Sequence, residues 1–536
     1  MNAPARIYQP KFQPYDHQAR GLQQMQGKDL FALLMAMRTG KTKVALDDYG
    51  QLELDGKAHD FLLLAPAGVY RTWLTALREH GSDDIVQRMW PYIWESGNNT
   101  KAAKNLRAAF MNEPARPRML LMNVEALSTV QEARNMVTQF VMQRRKVYQA
   151  VDESVVIKNW DSNRTQFIVS KLGPHYAYKR ILTGLPTPKD PLDLFGQFTY
   201  LNQAILGYYN WVAFRARYAK VANICMLKTA ELQQRLRNAN GGEPNVVLPG
   251  FGRYAISDMS REHLISELQN RNVWFPTIPQ IRGYQHEDEL RDKIAPYVYR
   301  CRLEDCYDMP PSVYMRREVS MTPEQARIYG ELKTFCTARL NEQDYVTATQ
   351  VITQMMRLHQ VLCGHTVDEA GNEHEIETNR PKELLAAIDE LENDQKVIIW
   401  CVYDKDIQRV VAALRHHYGE NSVARFWGGN RKTREEEERK FQNDPAVRFM
   451  VATQSAGGRG RMWAVANTVI YYSNSDNLDH RSQSEERPKA MNKRIPIAYI
   501  DLVTPGTVDE KFITSLRRKI NMATAITGDN YQEWLI

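Results

Sequence analysis

A lysine, a threonine and two adjacent carboxylates carry the first chemical signal in the chain. In "MAMRTGKTKVA" (Met35–Ala45), Gly40, Lys41 and Thr42 follow an apolar run and open a helical pattern. A strand that turns into a helix in this way points backbone N–H groups and a helix N-terminus at an anion. Lys41 is placed to neutralise the β- and γ-phosphates of a nucleotide, and the Thr42 hydroxyl to ligate Mg2+. Arg38, Thr39, Gly40 and Lys43 complete the expected cradle. The tripeptide alone also fits an ordinary strand-to-helix turn, so the reading needs an acid at the end of a neighbouring strand. "YQAVDESVVIKN" supplies one. Asp152 and Glu153 terminate an apolar run, where Asp152 would hold Mg2+ through water and Glu153 would orient or deprotonate an attacking water. Most Asp-Glu pairs are solvated surface. This one ends a strand and follows the Gly-Lys-Thr in chain order, which favours chemistry.

The elements that must position these residues are short apolar runs alternating with amphipathic helices. "DLFALLMAM", "DFLLLAP", "RMLLMNVE", "KVYQAVDE" and "KRILTG" read as strands, with helical patterns such as "KTKVALDDYGQLEL" between several of them. Near-continuous apolar strands separated by helices predict a parallel sheet covered on both faces. The same grammar returns after about residue 380 in "KVIIWCVY", "VRFMVATQ", "NTVIYYS" and "IPIAYIDLV". The stretch between is rich in Arg, Gln, Met and aromatics. The expectation is an α/β protein of two RecA-like lobes, 1–202 and 379–536, with a mainly helical insertion and linker over 203–378.

Composition sets the class. With 536 residues, 43% of them hydrophobic, the chain can bury several cores, and 25% charged residues argue against wholesale disorder. A net charge of +7 suits phosphate contact but also a solvated basic surface. The six cysteines include no C-x-x-C pair, so neither a disulfide framework nor a zinc site is expected, and a reducing cytosol fits. The opening segment has no signal-peptide core and the apolar runs are too short to span a bilayer, which predicts a cytoplasmic protein with no membrane partner.

With both motifs placed, the chain resembles the superfamily two helicases, and among them the Swi/Snf family of DNA translocases. "PYDHQARGL" is similar to the adenine-reading motif, with Gln18 as the adenine contact. "LLLAPAGVYRTW" resembles motif Ia, which brings Pro66, Ala67 and Arg71 to a nucleic-acid backbone, and "LLMNVEAL" puts Asn123 in another strand-contacting loop. "RILTGLPTPKDPLDLFGQFTYLN" resembles motif III, which puts Thr183 and Gly184 among the nucleic-acid contacts and has Thr183 couple the nucleotide site to lobe movement. "VATQSAGGRGRMW" resembles motif V, whose Thr453, Gly457, Gly458 and Gly460 would approach nucleic acid or ATP. In "QSEERPKAMNK", Gln483 and Arg487 match motif VI, and Arg487 is the implied arginine finger. Two departures stand out: Arg38 replaces a motif I glycine, and Ala490 replaces the second arginine of motif VI, for which Lys489 or Arg494 are the nearby substitutes.

The resemblance implies ATP and Mg2+ at a cleft between lobes, split by Lys41 and Glu153 from one side and Arg487 from the other. It implies duplex DNA as the partner, held by backbone contacts, in a compact bacterial or phage enzyme of replication, repair or recombination acting with proteins of that pathway. The oligomeric state is open, and a monomer is compatible. Two rival readings stay on the table: an RNA-dependent member of the superfamily, and a nucleotide-gated DNA-binding protein with weak turnover, which Ala490 motivates.

Overall fold

The computed structural model describes residues 8–67, 69–98, 100–143, 145–248, 252–303, 305–307, 310–341, 348–367, 372–457, 462–490 and 493–527. The first lobe is built on a seven-stranded sheet in the order β11-β1-β6-β5-β2-β4-β3. Its strands are β1 (Leu30–Met35), β2 (Phe61–Ala65), β3 (Trp90–Ile93), β4 (Arg118–Asn123), β5 (Tyr148–Asp152), β6 (Tyr178–Leu182) and β11 (Val298–Cys301). All of its pairings are parallel. The sequence of β1 shows why this sheet is buried on both sides. Phe31, Leu33 and Met35 enter one core while Ala32 and Leu34 enter another, as the two-residue period of a strand dictates.

The second lobe repeats the plan with a six-stranded sheet, β12-β19-β18-β15-β17-β16. These strands are β12 (Val313–Glu318), β15 (Val397–Cys401), β16 (Val423–Phe426), β17 (Phe449–Thr453), β18 (Thr468–Tyr471) and β19 (Ala498–Val503), again all parallel. Val397, Ile399 and Cys401 face one core and Ile398 and Trp400 the other.

The middle of the chain departs from the expected organisation in two ways. First, the boundaries at 202 and 379 cut across both sheets. β11 returns to pair with β1, and β12 pairs with β19, so each lobe recruits an edge strand from the middle segment. Second, the mainly helical insertion also carries short antiparallel ribbons. Strand β7 (Ala219–Cys225) pairs antiparallel with β10 (Thr277–Tyr284), and β8 (Asn245–Leu248) with β9 (Gly252–Ala255). The helices Thr229–Ala239 and Arg261–Asn270 close a small core on them through Leu232, Leu236, Leu264 and Leu268. Short antiparallel ribbons lack the long apolar runs of the parallel sheets, so they read as loops in the sequence. The remaining strands, β13 (His365–Val367) and β14 (Glu373–Glu375), form another such ribbon. No helix among the described residues is long and apolar enough to cross a membrane.

Candidate functional site

The phosphate loop lies between β1 and helix α2 (Lys41–Leu54). Gly40 caps the helix at φ 87°, a left-handed conformation, and a Cβ there would collide with the Gln18 amide, so only glycine fits. The loop is tied by Thr39 Oγ1, which donates to the Ala36 carbonyl at 2.8 Å, and Lys41 Nζ reaches that carbonyl at 3.4 Å. Helix α1 (Asp16–Met25) holds the loop from outside. His17 Nε2 and Gln18 Nε2 meet the Thr39 carbonyl at 2.9 and 3.1 Å, while Gln18 Oε1 accepts from the Tyr15 N–H at 3.1 Å. Gln18 thus braces the loop as well as standing at its mouth. Lys43 differs from expectation: its ammonium is buried and paired with Asp47 one turn along α2. Only its backbone N–H is left to offer a phosphate.

Asp152 ends β5 two strands from β1, with β6 between them. Its Oδ2 accepts from Trp73 Nε1 at 2.8 Å and its Oδ1 from the Glu153 N–H at 2.9 Å. Burial pushes its pKa up, opposed first by the Lys41 ammonium. Glu153 sits at φ 49°, an uncommon conformation for a side-chain-bearing residue. Such strain is held in place by its surroundings and clusters at functional sites. A divalent ion with oxygen ligands fits here: a buried carboxylate with both oxygens already oriented favours a water-bridged contact, and Thr42 offers a hydroxyl in the first turn of α2.

Arg487 arrives from the second lobe. It is only 2% exposed, its Nε donates to the Gln483 carbonyl at 2.9 Å, and Nη2 lies 3.8 Å from Met37 Sδ in the phosphate loop. Arg38 reaches in the opposite direction: its Nη2 donates to the Arg487 carbonyl at 2.8 Å, and its Nη1 is buried with no hydrogen-bond partner. Arg38 takes a left-handed φ of 67° to do so, the conformation that the family's glycine at this position would adopt freely. Burial and the neighbouring Arg38 push the Arg487 guanidinium down to about 9, with Glu486, Glu153 and Glu438 pulling the other way. Two buried guanidiniums that repel each other, one with an orphaned N–H, are the complement of a polyanion. The substitutes for the second motif VI arginine are elsewhere. Lys489 is buried and paired with Glu486 at 2.8 Å, and Arg494 is exposed.

Several residues expected at a nucleic-acid surface are not on one. Thr183 is 1% exposed, its N–H donating to Leu33 O at 3.1 Å, and a Cβ on Gly184 would stand 3.4 Å from Met37 N. They pack beneath the phosphate loop because β6 is the neighbour of β1. Thr453 is buried at the end of β17, and the rings of Trp463 and Trp400 occupy the space where Gly457 would carry a Cβ. That glycine serves tryptophan packing, not backbone approach. Gly458 and Gly460 lie outside the described residues. The motif Ia and Asn123 loops do come together. Ala65 and Asn123 are paired across β2 and β4, Ala67 N–H donates to Glu125 Oε2 at 3.1 Å, and Ala67 and Arg71 are exposed while Pro66 is buried. Arg71 is ion-paired with Glu95 at 2.6 Å.

Sequence reasoning missed the residues that wire this site to the second lobe. Ser154 Oγ donates to Gln197 Oε1 at 2.7 Å, and Gln197 Nε2 donates to the Pro186 carbonyl at 2.7 Å. Leu185, beside Pro186, packs against a cluster of the second lobe formed by Leu478, Val503, Ile513, Leu516 and Ile520. A polar residue inside an otherwise apolar helix, as in "LFGQFTYL", was the available signal for Gln197.

A phosphate loop on one parallel-sheet lobe facing an arginine from a second such lobe defines the two-lobed helicase class. Residues 29–367 match the SNF2-related domain and residues 379–489 the helicase conserved C-terminal domain, and the chain belongs to the SNF2-related family. It is 22% identical over 437 residues to TATA-binding protein-associated factor 172 of Homo sapiens, covering 72% of this chain and 21% of that protein. It is 21% identical over 403 residues to TATA-binding protein-associated factor MOT1 of Saccharomyces cerevisiae, covering 71% and 20%. The chain therefore spans about a fifth of the length of these two relatives. The uncharacterized ATP-dependent helicase YqhH of Bacillus subtilis is 21% identical over 533 residues, covering 98% of this chain and 81% of that one. Among solved structures, the Sulfolobus solfataricus SWI2/SNF2 ATPase core in complex with dsDNA aligns over 98% of this chain and 95% of its own, at 16% identity and a TM-score of 0.37.

Proposed function

We propose that the protein is an ATP-driven DNA translocase whose two lobes close on a nucleotide and, by closing and opening, step along a duplex backbone. One observation carries this reading: Arg487 of the second lobe is buried against Met37 and Arg38 of the first lobe's phosphate loop. In the reading, the backbone N–H groups at the start of α2 and the Lys41 ammonium bind the β- and γ-phosphates. Glu153 orients the attacking water and takes its proton, and Arg487 stabilises the charge that develops on the transferred phosphoryl group. Thr42 and Asp152 would hold Mg2+, which would neutralise phosphate charge. Because the catalytic groups are divided, hydrolysis requires closure, and Leu185 and Gln197 transmit that state between lobes. The exposed Ala67 and Arg71 and the half-buried Asn123 are the proposed backbone contacts, which makes binding sequence-independent and salt-sensitive. The same reading puts the protein in a bacterial or phage-infected cytoplasm, in replication, repair or recombination.

The test is phosphate release with duplex DNA, single-stranded DNA, RNA or no polymer. Strong stimulation by duplex DNA, lost in Lys41→Ala and Glu153→Gln, is the expected result. Equal rates with and without any nucleic acid would sink the coupling, and a clear preference for RNA would replace the polymer. Binding of ATP and DNA without turnover would favour the nucleotide-gated alternative.

A further inference from the structure

Cys301 is the last residue of β11, paired with Met35 of β1, and its carbonyl accepts the N–H of Ala36 at 2.8 Å. It therefore abuts the base of the phosphate loop. From here residues 302–312 run to β12, so Cys301 also marks where the chain leaves the first sheet for the second. The connection begins with a tight turn. The N–H groups of Cys306 and Tyr307 both donate to the Leu303 carbonyl, at 3.0 and 3.2 Å, and Arg302 pairs with Asp305 at 2.8 Å. The turn brings Cys306 Sγ to 2.7 Å from Cys301 Sγ and to 2.8 Å from the Arg302 carbonyl.

His17 lies close enough to make a metal triad with these thiols, all ligand atoms being within 4.8 Å of one another. The distances decide against it. Two sulphurs bound tetrahedrally to one zinc ion at about 2.3 Å would stand roughly 3.8 Å apart. A disulfide bond is about 2.05 Å long, and the observed 2.7 Å lies between the two values, on the disulfide side. His17 Nε2 meets the Thr39 carbonyl at 2.9 Å, which leaves Nδ1 as the nitrogen a metal would need.

We propose that Cys301 and Cys306 are a redox-active dithiol at the start of the inter-lobe connection, closed to an intramolecular disulfide by a hydroperoxide, and that closure slows the motor. The two thiols are inequivalent. Their shared contact, in which either sulphur can donate, pushes the Cys301 thiol down against the opposing effect of burial, and with burial it pushes Cys306 up. One sulphur of the pair is the attacking thiolate and the other the resolving thiol. The first Sγ attacks one peroxide oxygen, the O–O bond breaks, and hydroxide leaves, giving a sulfenic acid. The second Sγ then attacks that sulphur, the S–O bond breaks, and the oxygen departs as water with the second thiol's proton. The two thiols lose two electrons, and the peroxide is reduced to water. Disulfides of this kind in reducing compartments are transient and sensing, not structural.

The bond would tie residues 301–306 into a ring and so shorten the stretch of sequence between the two sheets to 307–312. It would also fix the turn beneath Tyr307, whose ring meets His17 at 5.5 Å and Tyr15 at 6.0 Å. His17 and Gln18 hold the phosphate loop, so the hinge and the nucleotide seat stiffen together. The effect on turnover rests on the proposed motor; formation of the bond does not.

The experiment treats the reduced full-length chain with hydrogen peroxide, alkylates the remaining thiols, maps disulfides by peptide mass spectrometry, and measures duplex-stimulated phosphate release in parallel. The expected result is a Cys301–Cys306 link and a several-fold loss of turnover, both reversed by dithiothreitol and both absent in Cys306→Ser and Cys306→Ala. Loss of turnover that persists in both variants overturns the proposal, as does a link that leaves turnover unchanged. Stoichiometric zinc in the purified chain, with thiols that react only after chelation, overturns it in favour of a metal site. A chain with no turnover in either state defeats the motor reading, while the peptide map still decides whether the bond forms.

Discussion

The guanidinium of Arg38 crosses the inter-lobe cleft and donates from Nη2 to the main-chain carbonyl of Arg487, 2.8 Å away. The same carbonyl accepts the Trp463 N–H at 2.9 Å, so the backbone of motif VI is pinned from both lobes at one oxygen. Arg38 stands where the family's phosphate loop has glycine, and Ala490 where its motif VI has a second arginine. Arg38→Gly should therefore relax the phosphate loop and still weaken closure. Loss of a charge-assisted hydrogen bond is worth about 1.5–3 kcal/mol, so turnover should fall by roughly tenfold or more while nucleotide affinity in the open state changes little. Stopped-flow nucleotide binding beside steady-state phosphate release separates the two. A tenfold loss of affinity with unchanged turnover would mean that Arg38 belongs to the binding cradle alone.

Arg487→Ala tests the finger directly. An arginine that acts on the transition state is worth about 10³-fold or more in kcat, whereas one that only binds ground-state nucleotide raises KM instead. The expected outcome is a collapse of single-turnover hydrolysis with nearly normal nucleotide binding. Arg487→Lys should recover little, because a point charge does not reproduce the planar fork.

How far the sequence led depended on whether a feature is periodic or relational. The strands of both sheets were legible because burial on two faces forces unbroken apolar runs such as "LFALLM" and "VIIWC". Lys41, Asp152 and Glu153 were legible because strand ends and helix starts can be placed from pattern. Thr183 and Gly184 were assigned to the wrong surface. Sequence order does not show that β6 neighbours β1, and that adjacency alone turns motif III under the phosphate loop. Gly457 read as a phosphate-approach glycine because its tryptophan neighbours are distant in the chain or masked by loop composition. The Cys301–Cys306 contact was hidden because a spacing of five carries no motif, and only the turn at Leu303 brings the sulphurs together.

Asp193 gives the fold a pH response. Burial pushes its carboxyl up to about 6, with Lys158 opposing and Asp190 adding to the shift. An acid whose folded pKa is raised stabilises the fold fully below its ordinary value of 3.8 and loses that contribution as pH rises through about 6. Thermal unfolding should therefore show a decline in stability between about pH 4 and pH 6 that is blunted in Asp193→Asn. Asparagine can still accept the Lys189 N–H that Asp193 Oδ2 holds at 2.8 Å. A variant with the same pH slope as the parent would assign the titration to another group.

Leu185 and Gln197 should separate hydrolysis from its stimulation. Gln197 accepts from Ser154, next to Glu153, and donates to the Pro186 carbonyl, while Leu185 reaches the second-lobe cluster around Leu516. Leu185→Ala removes apolar contact worth about 1.5 kcal/mol at most for a half-buried side chain, so the lobes should stay folded but dock less firmly. Gln197→Leu breaks the polar link while filling much of the same volume, and orphans Ser154 Oγ at a cost of about 1–3 kcal/mol. Both variants should keep DNA-independent hydrolysis within a few-fold of the parent and lose most of the stimulation by duplex DNA. Phosphate release across a DNA titration reads this as a fall in the plateau without a matching fall in the intercept. If both quantities dropped in proportion, the path through Pro186 would be structural support for the nucleotide site and not the route by which the second lobe senses it.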